Sequence, residues 1–185
     1  MELQLNHVSS PLGEMLLVTD EKGRVWSLDF ASNVLHLAST LRERHGDIAL
    51  HEGVASEATK RVIGKIDAYF KGDIAALEGV PVLDKASDFE RRVWTALRKI
   101  PAGTTTTYGE LAVSLGFTDP RMAKEVGAAI GANPVAVIVP CHRVIGKDGS
   151  LKGFRWGVER KRKLLELESR VRGFRLESQR PVAGA

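Results

Sequence analysis

Asn133-Pro134-Val135-Ala136-Val137-Ile138-Val139-Pro140-Cys141-His142-Arg143-Val144 holds the only cysteine of a 185-residue chain. Val135 to Val139 is a continuous apolar run, too short for a helix and bounded by prolines, which predicts a buried strand with Cys141 at its exit. A thiolate is a nucleophile, and the histidine and arginine directly behind it supply the positive setting that lowers a thiol pKa. Residue types alone leave a second possibility open, a small buried hydrophobe, since free cysteine is among the most buried residues.

Upstream, Asp119-Pro120 predicts an N-cap followed by proline at the first helical position, opening a helix from Arg121 to Ile130. Its Gly127, Ala128 and Ala129 are small, although glycine costs a helix up to about 1 kcal/mol relative to alanine. Something bulky is therefore expected to come close, either another helix or a DNA groove. Thr107 and Glu110 form a capping-box pair that puts Tyr108 at a helix start, and Gly116-Phe117-Thr118 joins the two short helices like a helix-turn-helix. A second pair, Ser87 and Glu90, opens an amphipathic helix with Phe89, Val93, Trp94, Leu97 and Ile100, closed by Pro101-Ala102-Gly103. Downstream, Lys147-Asp148-Gly149-Ser150 predicts a turn, Leu151 to Gly157 a glycine-punctuated loop, and Val158 to Glu168 a final helix.

The first half has a different texture. Glu2–Val8, Met15–Thr19 and Arg24–Phe30 read as strands of an antiparallel meander, separated by turns at Pro11-Leu12-Gly13 and Asp20 to Gly23; Val34 to Leu41 and Val54 to Phe70 have helical spacing, and Val80 to Lys85 is an extended connector. His7, His36, His45 and His51 lack ligand spacing and cysteine partners, so no metal site and no chemical constellation is expected there. The expected fold is α/β: a small α+β domain over 1–84, then over 85–169 a mainly helical domain with a helix-turn-helix and a short strand carrying the cysteine, and a flexible tail over 170–185.

Hydrophobic content of 43% and charged content of 27% are those of a soluble globular protein. With no long apolar segment and no signal-peptide pattern, a soluble cytoplasmic monomer with no membrane partner is expected. The net charge of +4 is unevenly placed. Residues 1–88 carry 9 basic and 14 acidic side chains, residues 89–168 carry 14 and 8, and the remainder 4 and 1. The positive charge lies with the cysteine, as suits a polyanionic partner. The Arg160-Lys161-Arg162-Lys163 run, taken alone, predicts a solvated helix face.

The ordered series Val93-Trp94, Ile100-Pro101-Ala102-Gly103, Thr107 to Ala112, Asn133-Pro134, Pro140 to Val144, Asp148-Gly149, Gly153, Leu164-Leu165 and Glu168 resembles the active-site domain of the O6-alkylguanine-DNA alkyltransferases, over about Phe89 to Glu168. The resemblance implies a DNA repair protein that moves an alkyl group irreversibly from O6-alkylguanine, and from O4-alkylthymine, in double-stranded DNA to Cys141, once per molecule and with no cofactor. It implies that His142, oriented by Glu168, activates the thiol through a water, and that Tyr108 assists the leaving guanine. The base must leave the duplex to reach a buried thiol. The Arg121–Ile130 helix then lies in the minor groove, with Gly127 and Ala128 allowing close approach. Asn133 ties that helix to the cysteine segment, and Arg143, Val144, Arg155 and Trp156 join the base-binding set.

Two departures stand out. Where the family has an arginine finger in Arg-Ala-Val-Gly, this chain has Lys124-Glu125-Val126-Gly127, so either Lys124 or Arg121 fills the vacated stack. Trp156 stands where several relatives have glycine, which narrows the pocket. The alternatives are a non-catalytic binder of alkylated DNA, which would lack the cysteine, a dimeric helix-turn-helix regulator, and a cysteine hydrolase.

Overall fold

The computed structural model describes residues 2–83, 85–151 and 153–178, with side chains as far as residue 170. The three predicted strands form the expected meander, the second and third buried on both faces. β1 (Glu2–Val8) pairs antiparallel with β2 (Met15–Thr19), and β2 with β3 (Val25–Phe30), placing Leu5 opposite Val18 and Leu17 opposite Leu28. Period two sends Leu16, Val18 and Trp26 to one face, against Leu37 and Leu41 of α1 (Val34–His45). Met15, Leu17, Leu28 and Phe30 go to the other, against Val62, Ile66 and Tyr69 of α2 (Glu57–Phe70). α2 starts three residues later than expected because Ser56 caps it, accepting from Thr59 N–H. A strand the sequence did not announce, β4 (Ala49–Glu52), pairs parallel with β1 and gives the order β3-β2-β1-β4. All four of its residues are exposed, so no buried face imposes a readable alternation.

Both predicted capping boxes form. Ser87 and Glu90 open α3 (Asp88–Lys99), and Thr107 and Glu110 open α4 (Tyr108–Ser114) with Tyr108 as its first residue. α5 (Met122–Gly131) starts one residue late. Asp119 is spent on a turn, its carboxylate taking the Arg121 backbone N–H at 2.9 Å and its carbonyl the Met122 N–H at 3.0 Å. Trp94 of α3 donates its indole N–H to Ala129 O at 2.8 Å and fastens α5 to the core. β5 (Thr106–Thr107) and β6 (Val144–Ile145) form a two-residue parallel ladder. α6 (Val158–Ser178) continues past Glu168 into the expected tail, because Arg170, Arg172, Leu176 and Glu177 are good helix formers and no proline intervenes before Pro181. Residues 179–185 of that tail lie outside the described residues.

The expected strand Val135–Val139 does not form. Only Val135 bridges, to Leu28, with Leu28 N–H on Pro134 O and Ala136 N–H on Leu28 O. Beyond it the chain coils. Ile138 N–H reaches back to Ala136 O at 2.7 Å around Val137, whose φ of 67° is the left-handed form that a β-branched residue rarely adopts. The apolar run signals burial, and burial is real, but tight turns and the Asn133 side chain satisfy its backbone instead of a ladder. Docked on the β3 edge in this way, the coil joins both halves: one buried cluster runs from the sheet through α2, α3 and α5 to Cys141 and Leu164. Residues 81–83 cover the same edge, with Val25 N–H on Pro81 O and Leu83 N–H on Val25 O.

Candidate active site

Pro140, at φ −82° and ψ 63°, centres an inverse three-residue turn closed by Cys141 N–H on Val139 O at 2.8 Å. The cysteine therefore opens a single tight helical turn, Cys141–Arg143, and does not ride on a strand. Asn133 organises the approach. Its Oδ1 accepts from Val135 N–H at 2.9 Å, and its Nδ2 donates to Val139 O at 3.0 Å and lies 3.4 Å from Cys141 Sγ. The tie from α5 to the cysteine segment expected of Asn133 is present, and it extends to the sulfur.

Behind the thiol lies a buried network centred on Glu168. Its Oε1 takes His142 Nε2 at 2.8 Å, Arg143 Nη2 at 2.9 Å and the Tyr69 hydroxyl at 2.8 Å. Its Oε2 takes Arg143 Nε at 3.0 Å and Gly103 N–H at 3.1 Å. Burial alone would hold Glu168 protonated, but the hydrogen bonds from His142 and Arg143, with the Arg143 charge, outweigh it and keep the carboxyl well below the ordinary range. An ionised carboxylate only accepts, so the His142 proton sits on Nε2. Nδ1, buried and without a hydrogen-bond partner among the described residues, carries the lone pair. Burial pushes His142 down and Cys141 up, the latter offset in part by the Asn133 amide and the charges of Lys161 and Arg155. The resting pair is thus a thiol and a neutral imidazole: a nucleophile that needs a base.

The expectation that Arg143 contacts the base is corrected by this geometry. With Nε and Nη2 on Glu168 and Nη1 on Ile100 O at 2.6 Å, its guanidinium is consumed inside the protein. Val144 is fully buried and its carbonyl already accepts from Lys161 Nζ, leaving one lone pair.

Cys141 faces a crevice of about 10 Å³ bounded by Tyr108, Ile130, Gly153, Arg155, Trp156 and Lys161. The Tyr108 ring lies over Gly127, and its hydroxyl sits so near Gly153 (φ 85°) that a Cβ there would be 3.2 Å away. Arg155 reaches across to the carbonyls of Gly131 and Asn133 at the end of α5. Trp156 is both wall and anchor, since its indole donates to the buried Asp29 carboxylate at 2.6 Å and packs edge-on against Phe30 and Phe154. On the outer face of α5, Lys124 and Ala128 are exposed, and the Arg121 guanidinium is clamped on Asp119 at 2.7 Å. A larger surface groove, about 910 Å³ between α3 and α4, lies away from the thiol.

Three contributors escaped the sequence. Tyr69 and Asp29 come from the half expected to carry no chemistry. Lys161, in a run expected to be solvated, is buried at 1% exposure, where burial lowers its pKa and the neighbouring thiol opposes that. Only Lys161's position one helical turn before Leu164 and two before Glu168 hinted at an inward face.

Comparison with known proteins gives the family. Residues 88–170 match the family described as 6-O-methylguanine DNA methyltransferase, DNA binding domain. The methylated-DNA–protein-cysteine methyltransferase of Salmonella typhimurium is 37% identical over 87% of this chain and 92% of its own length. That of Methanosarcina barkeri is 38% identical over 87% and 94%. The crystal structure of Mycobacterium tuberculosis OGT in complex with DNA superposes with a TM-score of 0.74 at 34% identity, covering 92% of this chain and 94% of that one. At these identities and coverages the chain belongs to the methylated-DNA–protein-cysteine methyltransferase family, DNA repair proteins that transfer an alkyl group to a cysteine.

Proposed function

We propose that Cys141 takes the alkyl group of O6-alkylguanine, and of O4-alkylthymine, from double-stranded DNA by direct displacement, once per molecule. Sγ bonds to the alkyl carbon as the carbon–O6 bond breaks, and the electron pair leaves on the base. The thiol proton passes to Nδ1 of His142, through one water, and the Glu168 carboxylate stabilises the imidazolium. Tyr108, whose hydroxyl burial and the nearby thiol keep protonated, lends a hydrogen bond to the base as charge develops. A thioether has no easy reverse step, and the reaction as written balances without a cofactor. The observation that carries this is the His142 tautomer, fixed by Glu168 with its lone pair left on Nδ1.

Cys141 is buried at a narrow crevice spanned by Arg155, so a base stacked in a duplex would have to be flipped out, and the Arg155 span displaced, to reach it. α5 is suited to the minor groove by Ala128 and Gly131, the small residues on its exposed side, whereas Gly127 and Ala129 face the protein. The unit 85–169 would hold the DNA as a monomer, and 1–84 would buttress the site through Asp29 and Tyr69. Incubation with duplex DNA containing O6-methylguanine, followed by intact mass and peptide mapping, tests the whole. One added methyl on the Cys141 peptide is expected; free methylated product with unmodified protein would overturn it in favour of hydrolysis.

Binding to duplex DNA is expected to weaken steeply as salt rises from 50 to 200 mM, by about tenfold or more, because phosphate contacts by the basic half release counterions. A titration with a flat response removes the electrostatic basis. Lys124, exposed on α5, is the side chain taken to fill the vacated stack, with Arg121, exposed one turn earlier in a surface pair with Asp119, as the alternative. Lys124→Ala is expected to slow duplex repair by about tenfold, equivalent to about 1.4 kcal/mol. Repair of single strands, which need no flipping, should change less, and Lys124→Arg should match or exceed the parent. Equal losses on both substrates would disqualify Lys124 as the finger.

A further inference from the structure

Tyr69 lies 99 residues from Glu168 in sequence, is fully buried in α2, and places its hydroxyl 2.8 Å from the carboxylate oxygen that His142 uses. We infer that Tyr69 is a positioning residue of alkyl transfer, supplied by the first half of the chain, that moderates His142 by sharing Glu168 Oε1 with it. This rests on the His142–Glu168 relay proposed above.

The direction of the bond is settled by its partners. Glu168 can only accept, so Tyr69 donates, and burial together with the adjacent carboxylate keeps the phenol protonated. The carboxylate does not need this bond to stay in place, because Arg143 grips both oxygens and Gly103 N–H holds Oε2. What the hydroxyl changes is the charge on Oε1. Each donor to that oxygen draws on the same negative charge, so the pull on the imidazole N–H weakens as donors are added. The groups facing the pair are Tyr69 from α2, Arg143 from the tight turn, Lys161 from α6 and the Gly103 amide. Arg143 and Lys161 are cations that oppose an imidazolium; Tyr69 acts in the same sense without a charge.

Tyr69→Phe keeps the ring, with its edge-on packing on Phe70, and removes only the oxygen. More of the Glu168 charge is then felt at His142. Imidazolium forms more readily, a larger share of the thiol–imidazole pair becomes thiolate–imidazolium, and plateau transfer rises by about threefold, half a factor of ten on a logarithmic scale. The acid limb of the rate profile, set by protonation of the resting neutral imidazole, moves to higher pH. Loss of a purely structural bond would lower the melting temperature and leave that limb in place.

The test is the rate of Cys141 methylation by duplex DNA containing O6-methylguanine, followed by mass between pH 5 and 9, on the full chain, Tyr69→Phe and His142→Ala. A limb displaced upward with a faster plateau in Tyr69→Phe is expected. A limb that stays put or moves down overturns the inference. Should Tyr69→Phe fail to fold, 3-fluorotyrosine at position 69, a stronger donor, is expected to move the limb down, and an unmoved limb there overturns it equally. If His142→Ala keeps the parent's limb, the relay itself fails; if it abolishes the limb while Tyr69→Phe leaves it untouched, only the role of Tyr69 fails.

Discussion

Cys141→Ser is expected to reduce alkyl transfer by about 10⁴-fold or more, to the detection limit, while duplex binding is retained. Cys141 is 4% exposed and its pKa is already raised by burial, so the reaction depends on His142 drawing off a proton that a thiol can still release. A serine hydroxyl in the same pocket is far less acidic, and neither the Asn133 amide at 3.4 Å nor the charges of Lys161 and Arg155 can make up that gap. The substitution removes little volume, and Asn133 can hydrogen-bond an oxygen as it does the sulfur, so the Pro140 turn and the α5 face stay in place. Intact mass after incubation with methylated duplex measures transfer, and a gel-shift titration measures binding. Methylated product from the variant near the parent rate would remove Cys141 as the acceptor.

What the sequence made legible follows the range of the interactions involved. Capping boxes at Ser87 and Thr107 are decided within four residues, and both formed, the second putting Tyr108 at the mouth of the Cys141 crevice. The meander follows from short strand-forming runs separated by turns, and the family's ordered motif led to Cys141, His142, Glu168 and Asn133, which the fold brings together. Long-range partners were not legible. No local pattern links Tyr69 to Glu168 or Asp29 to Trp156, because these bonds exist only once the sheet and α2 have packed on the second half. Arg143 illustrates a different failure. A basic residue beside a nucleophile suggests a phosphate or base contact, but a buried carboxylate must be neutralised, and the nearest fork-shaped cation is consumed in doing so. The Val135–Val139 run misled for a third reason: hydrophobicity reports burial, and here an asparagine amide and two tight turns, not a ladder, satisfy the buried backbone.

Glu168→Gln tests the centre of the network. Five donors converge on the carboxylate, and an amide offers one acceptor and one NH₂ group. At the Oε2 position both neighbours, Arg143 Nε and Gly103 N–H, can only donate, whereas at Oε1 only Arg143 Nη2 is so limited, so the NH₂ takes the Oε1 position and faces that guanidinium. There Tyr69 can turn its hydroxyl to accept, and His142 can accept only by moving its proton to Nδ1. Nδ1 then loses the lone pair that the thiol needs, the same tautomer fault that disables a serine-protease triad when its aspartate is amidated. Transfer is expected to slow by about 100-fold or more, the usual contribution of a positioned base. Stability should fall too, because Arg143 stays buried opposite a neutral group: about 3–5 kcal/mol at neutral pH for a broken buried pair, or about 6–20 °C in Tm at about 2–4 °C per kcal/mol for a chain of this size. The sign with pH follows from the depressed folded pKa of Glu168. Its contribution is fully present above the unfolded carboxylate value, about 4.3, and is lost as pH falls from there toward the folded value. The difference in denaturation midpoint between parent and variant should therefore be widest at pH 6–8 and narrow below about pH 4. A gap that stays constant down to pH 3, or a variant that transfers methyl at the parent rate, would show that Glu168 does not carry the charge on which the His142 tautomer depends.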